Sequence, residues 1–120
     1  MTYKRFDIVK VPFPFTDPYA TKTRPAVIIS AADPFNARSE HSVMTMITSV
    51  KQADWPLDTV ITDLHSAGLP VASKIRLKLF TLDHRLIRGT LGQLSDEDQG
   101  AFTAQLALLL GKTEAQESAV

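Results

Sequence analysis

The chain has 120 residues, 44% of them hydrophobic and 22% charged, enough for one domain with a core and too few for two. Its 13 Lys plus Arg balance 13 Asp plus Glu, which excludes a generally basic protein that coats nucleic acid and an acidic disordered one. Cysteine is absent, so disulfides, thiolate metal sites and cysteine nucleophiles are excluded, and with no apolar run of signal-peptide or membrane-spanning length the expected location is cytoplasmic, away from any membrane.

The first strand is expected from Phe6 and should end near Pro12, because Pro12 and Pro14 cannot donate to a ladder. The polar stretch 16–23, with its Asp-Pro pair, reads as an exposed loop. Pro25 to Ser30 is a continuous apolar run, the pattern of a strand buried on both faces. A turn at 33–36 precedes a third strand over Ser42 to Val50, rich in β-branched residues. Asp58 to Ile61 is a short strand candidate, and turn chemistry follows at Ser66-Ala67-Gly68. Ser73 to Thr81 has the cleanest period of two, with Ser73, Ile75, Leu77, Leu79 and Thr81 on one face and Lys74, Arg76, Lys78 and Phe80 on the other. A short helical turn at 82–87 and a brief strand at 89–92 lead to Ser95, an N-cap followed by Asp96, Glu97 and Asp98. The helix it opens should run to about Leu110, with Ala101, Phe102, Leu106 and Leu109 as its stripe and Gly111 as its stop. The pattern is β-rich, a single domain over 1–111 with a C-terminal helix and a flexible tail over 112–120.

Zero net charge conceals segregation. Residues 1–24 carry +3, residues 25–73 carry −3, residues 74–88 carry +4 and residues 89–120 carry −4. Polyanion binding is therefore expected to be local, at the two basic blocks.

Several short stretches, taken in order, are similar to one family. They are Asp7-Ile8-Val9, Pro12-Phe13-Pro14-Phe15-Thr16-Asp17, Lys22-Thr23-Arg24-Pro25-Ala26-Val27-Ile28-Ile29-Ser30 and Ile47-Thr48-Ser49. Gly68-Leu69-Pro70, Leu79-Phe80-Thr81-Leu82-Asp83 and Leu91-Gly92-Gln93-Leu94-Ser95-Asp96-Glu97-Asp98 complete the set. Together they resemble the PemK/MazF-like toxins of bacterial type II toxin–antitoxin systems. The resemblance implies an SH3-like β-barrel with a helix packed on it, usually a homodimer, held in check by a cognate antitoxin. It also implies an endoribonuclease that cuts single-stranded RNA at a short preferred sequence, without metal or cofactor, by attack of the ribose 2′-OH on its own phosphate. The family's catalytic Arg and Thr fall on Arg24 and Thr48. Two positions depart from its pattern. Phe6 stands where relatives usually have Gly before the Asp, and a Phe is expected to exclude a turn with positive φ there. Val71-Ala72 replaces a frequent Lys-Pro pair. The Phe6 departure supports an alternative, a catalytically inactive module that retains antitoxin binding.

The chemistry needs a proton acceptor for the 2′-OH, a donor for the leaving oxygen, and donors for the charge on phosphorus-bound oxygens. An arginine fork suits the last need, because it can make two charge-assisted bonds to phosphate, whereas arginine is intrinsically a poor base. Thr48 can donate its hydroxyl to a non-bridging oxygen. Ser49 could do the same, but strand alternation sends the two to opposite faces. His41 is the histidine nearest the third strand and a possible supporting group, although solvated loop histidine is the simpler expectation for His41, His65 and His84 alike. No histidine pair has metal-ligand spacing. In the loop ahead of Arg24, Tyr19 could stack a base and Lys22 and Thr23 could hold a phosphate. Lys74, Arg76 and Lys78 either extend an RNA track or form the solvated face of a strand. Trp55 could stack RNA or meet the antitoxin, or its ring could cap the barrel core.

Overall fold

The computed structural model describes residues 2–12 and 22–112. The strands are β1 Asp7–Pro12, β2 Thr23–Ile28, β3 His41–Ser49, β4 Thr59–Val60, β5 Ser73–Asp83 and β6 Gly89–Gln93. They make one antiparallel sheet in the order β4-β5-β3-β2-β1-β6, curled into an SH3-like half-barrel. Among the described residues three α-helices accompany it, α1 Ala37–Ser39, α2 Leu64–Ala67 and α3 Asp96–Leu109, with a 3-10 turn at His84–Leu86. The expected turn at 33–36 is a helical segment, Ala32–Asn36, interrupted at Asp33 by extended backbone. Residues 13–21, on which most of the loop expected at 16–23 and Tyr19 fall, and residues 113–120, on which the expected tail falls, lie outside the described residues.

Both faces of the central strands are buried, as the apolar run in β2 predicts. One face joins Ile8, Val27, Ile47 and Ile75 to Leu94 and to Phe102 and Leu106 of α3. The other gathers Val9, Val11, Ala26, Ile28, Met44 and Leu82 beneath Tyr3, Phe80 and Ile87. The α3 stripe is narrower than expected. Asp98, Phe102 and Leu106 are buried, four residues apart along one ridge, while Ala101 and Leu109 are exposed. Ser95 caps the helix by accepting from Asp98 N at 3.2 Å, and Gly111 follows its end at φ 92°.

Phe6 corrects an expectation. Its φ is +75°, so the left-handed turn that glycine would make is made here by phenylalanine. The contacts around it account for this. Phe6 N donates to Ile28 O at 2.7 Å, Leu94 N donates to Phe6 O at 3.1 Å, and the ring packs on the core under Arg5, 4.7 Å from the ring centre. Asp7 closes the same turn by accepting from Lys4 N at 3.0 Å, and takes a bond from Gln93 Nε2 of β6 at 3.1 Å. The lead into β1 therefore makes a left-handed turn with phenylalanine at its centre.

β5 departs from simple alternation. Its register against β3 shifts between Thr45, opposite Leu79, and Met46, opposite Arg76, leaving Leu77 and Lys78 bulged. Thr45 Oγ1 fills the gap by donating to Arg76 O. Ile75 before the bulge and Leu77 within it are buried; beyond it Phe80 and Leu82 face a core while Leu79 and Thr81 are exposed. Gly68 ends α2 at φ +72°, where a Cβ would lie 2.0 Å from Leu91 O; a Cβ on Gly92 would lie 2.3 Å from Ser66 O. These two glycines let α2 rest directly on the β6 backbone.

Candidate active site

The pairing of β2 with β3 sets Ala26 opposite Met46 and Ile28 opposite Met44. Continued two residues, that register sets Arg24 opposite Thr48. Arg24 in turn pairs with Val11 of β1, and Thr48 with Lys74 of β5. Neighbouring strands lie about 4.8 Å apart, so Arg24 and Thr48 are side by side on one sheet face. Both line a cleft of about 370 Å³ with Met46, Ser49, Gln52 and Val71. Arg24 is exposed and Thr48 half-buried, so each can meet a ligand in the cleft.

Ser49 borders the same cleft, but it also holds the turn after β3. Its Oγ accepts from Lys51 N at 3.1 Å and its carbonyl accepts from Gln52 N at 3.1 Å. That turn delivers Gln52, a lining residue that sequence reasoning missed because nothing local distinguishes it from a loop glutamine. Thr23 is half-buried opposite Pro12, and Lys22 is exposed just ahead of β2. Val71, the replacement for a frequent lysine, presents an apolar wall.

Lys74 and Arg76 do not form a solvated strand face. The segment 50–58 folds back over them, and Lys74 is 4% exposed. Its Nζ donates to Gln52 O at 2.9 Å and lies 3.3 Å from Asp58 Oδ2 and 3.6 Å from Asp54 Oδ1. Arg76 grips Asp58 with two nitrogens, at 3.0 and 3.3 Å. Burial pushes the Asp58 carboxyl up, but bonds from Arg76, Lys74 and Trp55 N outweigh it and hold the group below the usual carboxylate range. Lys78 is exposed, with its ammonium 4.5 Å from the centre of the Trp55 ring.

His41 begins β3, the strand that Thr48 nearly ends, so about 23 Å separates them along the strand. It faces a larger hollow of about 590 Å³ with Glu40, Asp83, His84 and Arg85. Arg85 is paired there with Asp83 at 2.7 Å. His84 is not a solvated loop residue. It shares a 2.7 Å hydrogen bond with Ser42 Oγ and meets Tyr3 edge to face, and burial, then His41, lowers its pKa. Among the described residues no group of three or more His, Asp or Glu side chains is arranged to hold a metal ion, and no helix is long and apolar enough to cross a membrane.

Residues 4–110 match the family described as PemK-like, MazF-like toxin of type II toxin–antitoxin system. The chain belongs to the PemK/MazF-like toxins. Searched against curated proteins, the sequence finds no match. Solved structures agree with this family on the fold. An endoribonuclease in complex with its cognate antitoxin from a mycobacterial species superposes with a TM-score of 0.74 at 15% identity, covering 92% of this chain and 97% of that one. MazF from Deinococcus radiodurans gives 0.71 at 20% identity, covering 93% and 99%. A MazE–MazF complex from Deinococcus radiodurans gives 0.72 at 19% identity, covering 94% and 99%. The PemK/MazF-like chain here thus places its Arg-Pro and Thr-Ser pairs on adjacent strands at one cleft.

Proposed function

We propose that the protein is a toxin endoribonuclease that cuts single-stranded RNA at a short preferred sequence and is neutralised by a cognate antitoxin. The observation that carries this reading is that Arg24 of β2 and Thr48 of the adjacent β3 line one cleft, in a chain of this toxin family. The relatives described as an endoribonuclease with its cognate antitoxin and as a MazE–MazF complex support both the activity and the partner. The working unit is a homodimer, and the reaction requires no metal or cofactor.

In this reading the ribose 2′-OH attacks the adjacent phosphorus, forming the P–O2′ bond and breaking P–O5′. The products are a 2′,3′-cyclic phosphate and a 5′-hydroxyl that has gained the proton the 2′-OH gave up. Arg24 places its guanidinium fork against the two non-bridging oxygens, where negative charge gathers. Thr48 donates its hydroxyl to one of the same oxygens. Lys22 and Thr23, on the approach to Arg24, hold the neighbouring phosphate, Tyr19 stacks a base, and Ser49 supports Thr48 by fixing the turn behind it.

The test is incubation of the pure protein with long single-stranded RNA in EDTA, followed by mapping of the fragment ends. Expected are fragments with cyclic phosphate and 5′-hydroxyl ends at a recurring sequence, lost by roughly 10²-fold or more in Arg24→Ala. Intact RNA across a varied sequence set, or cleavage that Arg24→Ala leaves unchanged, overturns the reading.

A further inference from the structure

Trp55 is the chain's single tryptophan, and the residue is 43% exposed instead of capping a core. Its position is fixed from below. Trp55 N donates to Asp58 Oδ2 at 3.1 Å, and Asp58 is clamped in turn by Lys74 and Arg76. Two cations stand over the indole, Lys78 Nζ at 4.5 Å and Arg76 Cζ at 5.6 Å from its centre. Trp55 also borders a hollow of about 400 Å³ with Val50, Leu57, Val60 and Gln105, within the size range of small-ligand sites.

The register places this platform on the cleft's side of the sheet. Lys74 pairs with Thr48 and Arg76 with Met46, so these β5 residues share a face with Arg24, and the segment bearing Trp55 lies over them. Gln52, whose carbonyl holds Lys74, lines the Arg24–Thr48 cleft, so the segment that carries Trp55 begins at that cleft. The local charges favour an anion. Asp54 and Asp58 answer Lys74 and Arg76, whereas Lys78 makes no ion pair among the described residues.

We propose that Trp55 and Lys78 form a second RNA subsite, where a nucleobase leaving the Arg24–Thr48 cleft stacks on the indole and the Lys78 ammonium meets a neighbouring phosphate. This rests on the endoribonuclease reading and extends it from the scissile phosphate to the flanking strand. An exposed aromatic beside a cation that has no carboxylate partner among the described residues is the pairing that single-stranded nucleic acid uses without regard to sequence. The subsite therefore adds affinity for longer substrates and leaves the choice of cleavage sequence to the cleft.

With one tryptophan in the chain, emission excited beyond the absorption band of the two tyrosines reports on this site alone. A labelled 20-nucleotide RNA made with 2′-O-methyl riboses, which lack the attacking hydroxyl, is titrated into the full chain while label anisotropy and tryptophan emission are followed together. Emission should be quenched along the same curve as the anisotropy rises. With cleavable RNA, Trp55→Ala should raise KM by about 5- to 100-fold on the 20-mer and progressively less on shorter RNAs, with the loss in KM rather than kcat. Trp55→Phe should recover most of it, and Lys78→Gln should raise KM and flatten the salt dependence. Binding by anisotropy with unchanged emission overturns the subsite and leaves the nuclease standing. Quenching by the antitoxin but not by RNA overturns it in favour of a protein-docking role. Absence of both binding and cleavage overturns the subsite and the nuclease reading together.

Discussion

Replacing Asp98 by asparagine changes one oxygen to an amide, yet it strikes the joint between α3 and the segment after β4. Asp98 is 1% exposed, and its carboxylate accepts from Thr62 N at 3.0 Å, Thr62 Oγ1 at 2.7 Å and Asp63 N at 3.0 Å. Burial pushes this carboxyl up, but the donors from Asp63 and Thr62 outweigh it, so its pKa is lowered. Asparagine keeps one acceptor and turns an NH2 toward a backbone N–H, losing a charge-assisted bond and stranding a donor, a cost of about 3 kcal/mol. The pH dependence has a defined sign. Because the folded pKa lies below the unfolded one, the carboxylate contributes its full stability above about pH 4 and loses it as pH falls through the folded pKa. Urea unfolding at pH 7, 5, 4 and 3 measures both effects. Asp98→Asn should be about 3 kcal/mol less stable at pH 7, and the gap should shrink below pH 4 as wild-type Asp98 takes up its proton. A gap under ~0.5 kcal/mol at pH 7, or one that holds constant to pH 3, refutes the argument.

Phe6→Gly and Phe6→Ala both remove the ring, but only glycine relieves the positive φ, so Phe6→Gly should be the more stable of the two by about 1 kcal/mol in denaturant titration. Equal stability would mean the turn carries no strain. Gly68→Ala should cost at least about 2 kcal/mol, measured by thermal unfolding, because the methyl group meets the Leu91 carbonyl at a left-handed position. In the RNA cleavage assay, Thr48→Val should lower kcat by roughly 10²-fold with unchanged unfolding, and Thr48→Ser should retain most activity. His41→Ala should stay within about twofold of wild type, whereas a loss of roughly 10²-fold or more would make His41 the general base despite its distance.

The strands were legible because their burial imposes a pattern on consecutive residues. The apolar run of β2 and the β-branched run of β3 announce themselves locally, and so does the Ser95 cap. Phe6 was misread because a propensity argument treats φ as the residue's own choice, while here hydrogen bonds to Ile28 and Leu94 and a packed ring impose it. The alternation in β5 was read correctly as pairing parity but wrongly as burial, since a bulge at Leu77 and Lys78 decides which face meets a core. Lys74 and Arg76 resembled a basic stripe because their acidic partners, Asp54 and Asp58, lie in a segment whose folding back no local rule predicts. Arg24 and Thr48 came from motif context, and their adjacency needed the register. Gln52 and the buried role of Asp98 had no local signal.

A sheet with cores on both sides acts as a partition. Ile8 belongs to one core and Val9 to the other, and the same division recurs at Val27 and Ile28. A strand cannot leave one core without withdrawing its side chains from the second, so neither can melt while the other stays intact. The consequence is a unit that unfolds in one step. The cleft at the shared ends of β2 and β3 inherits that rigidity, which keeps Arg24 and Thr48 beside each other.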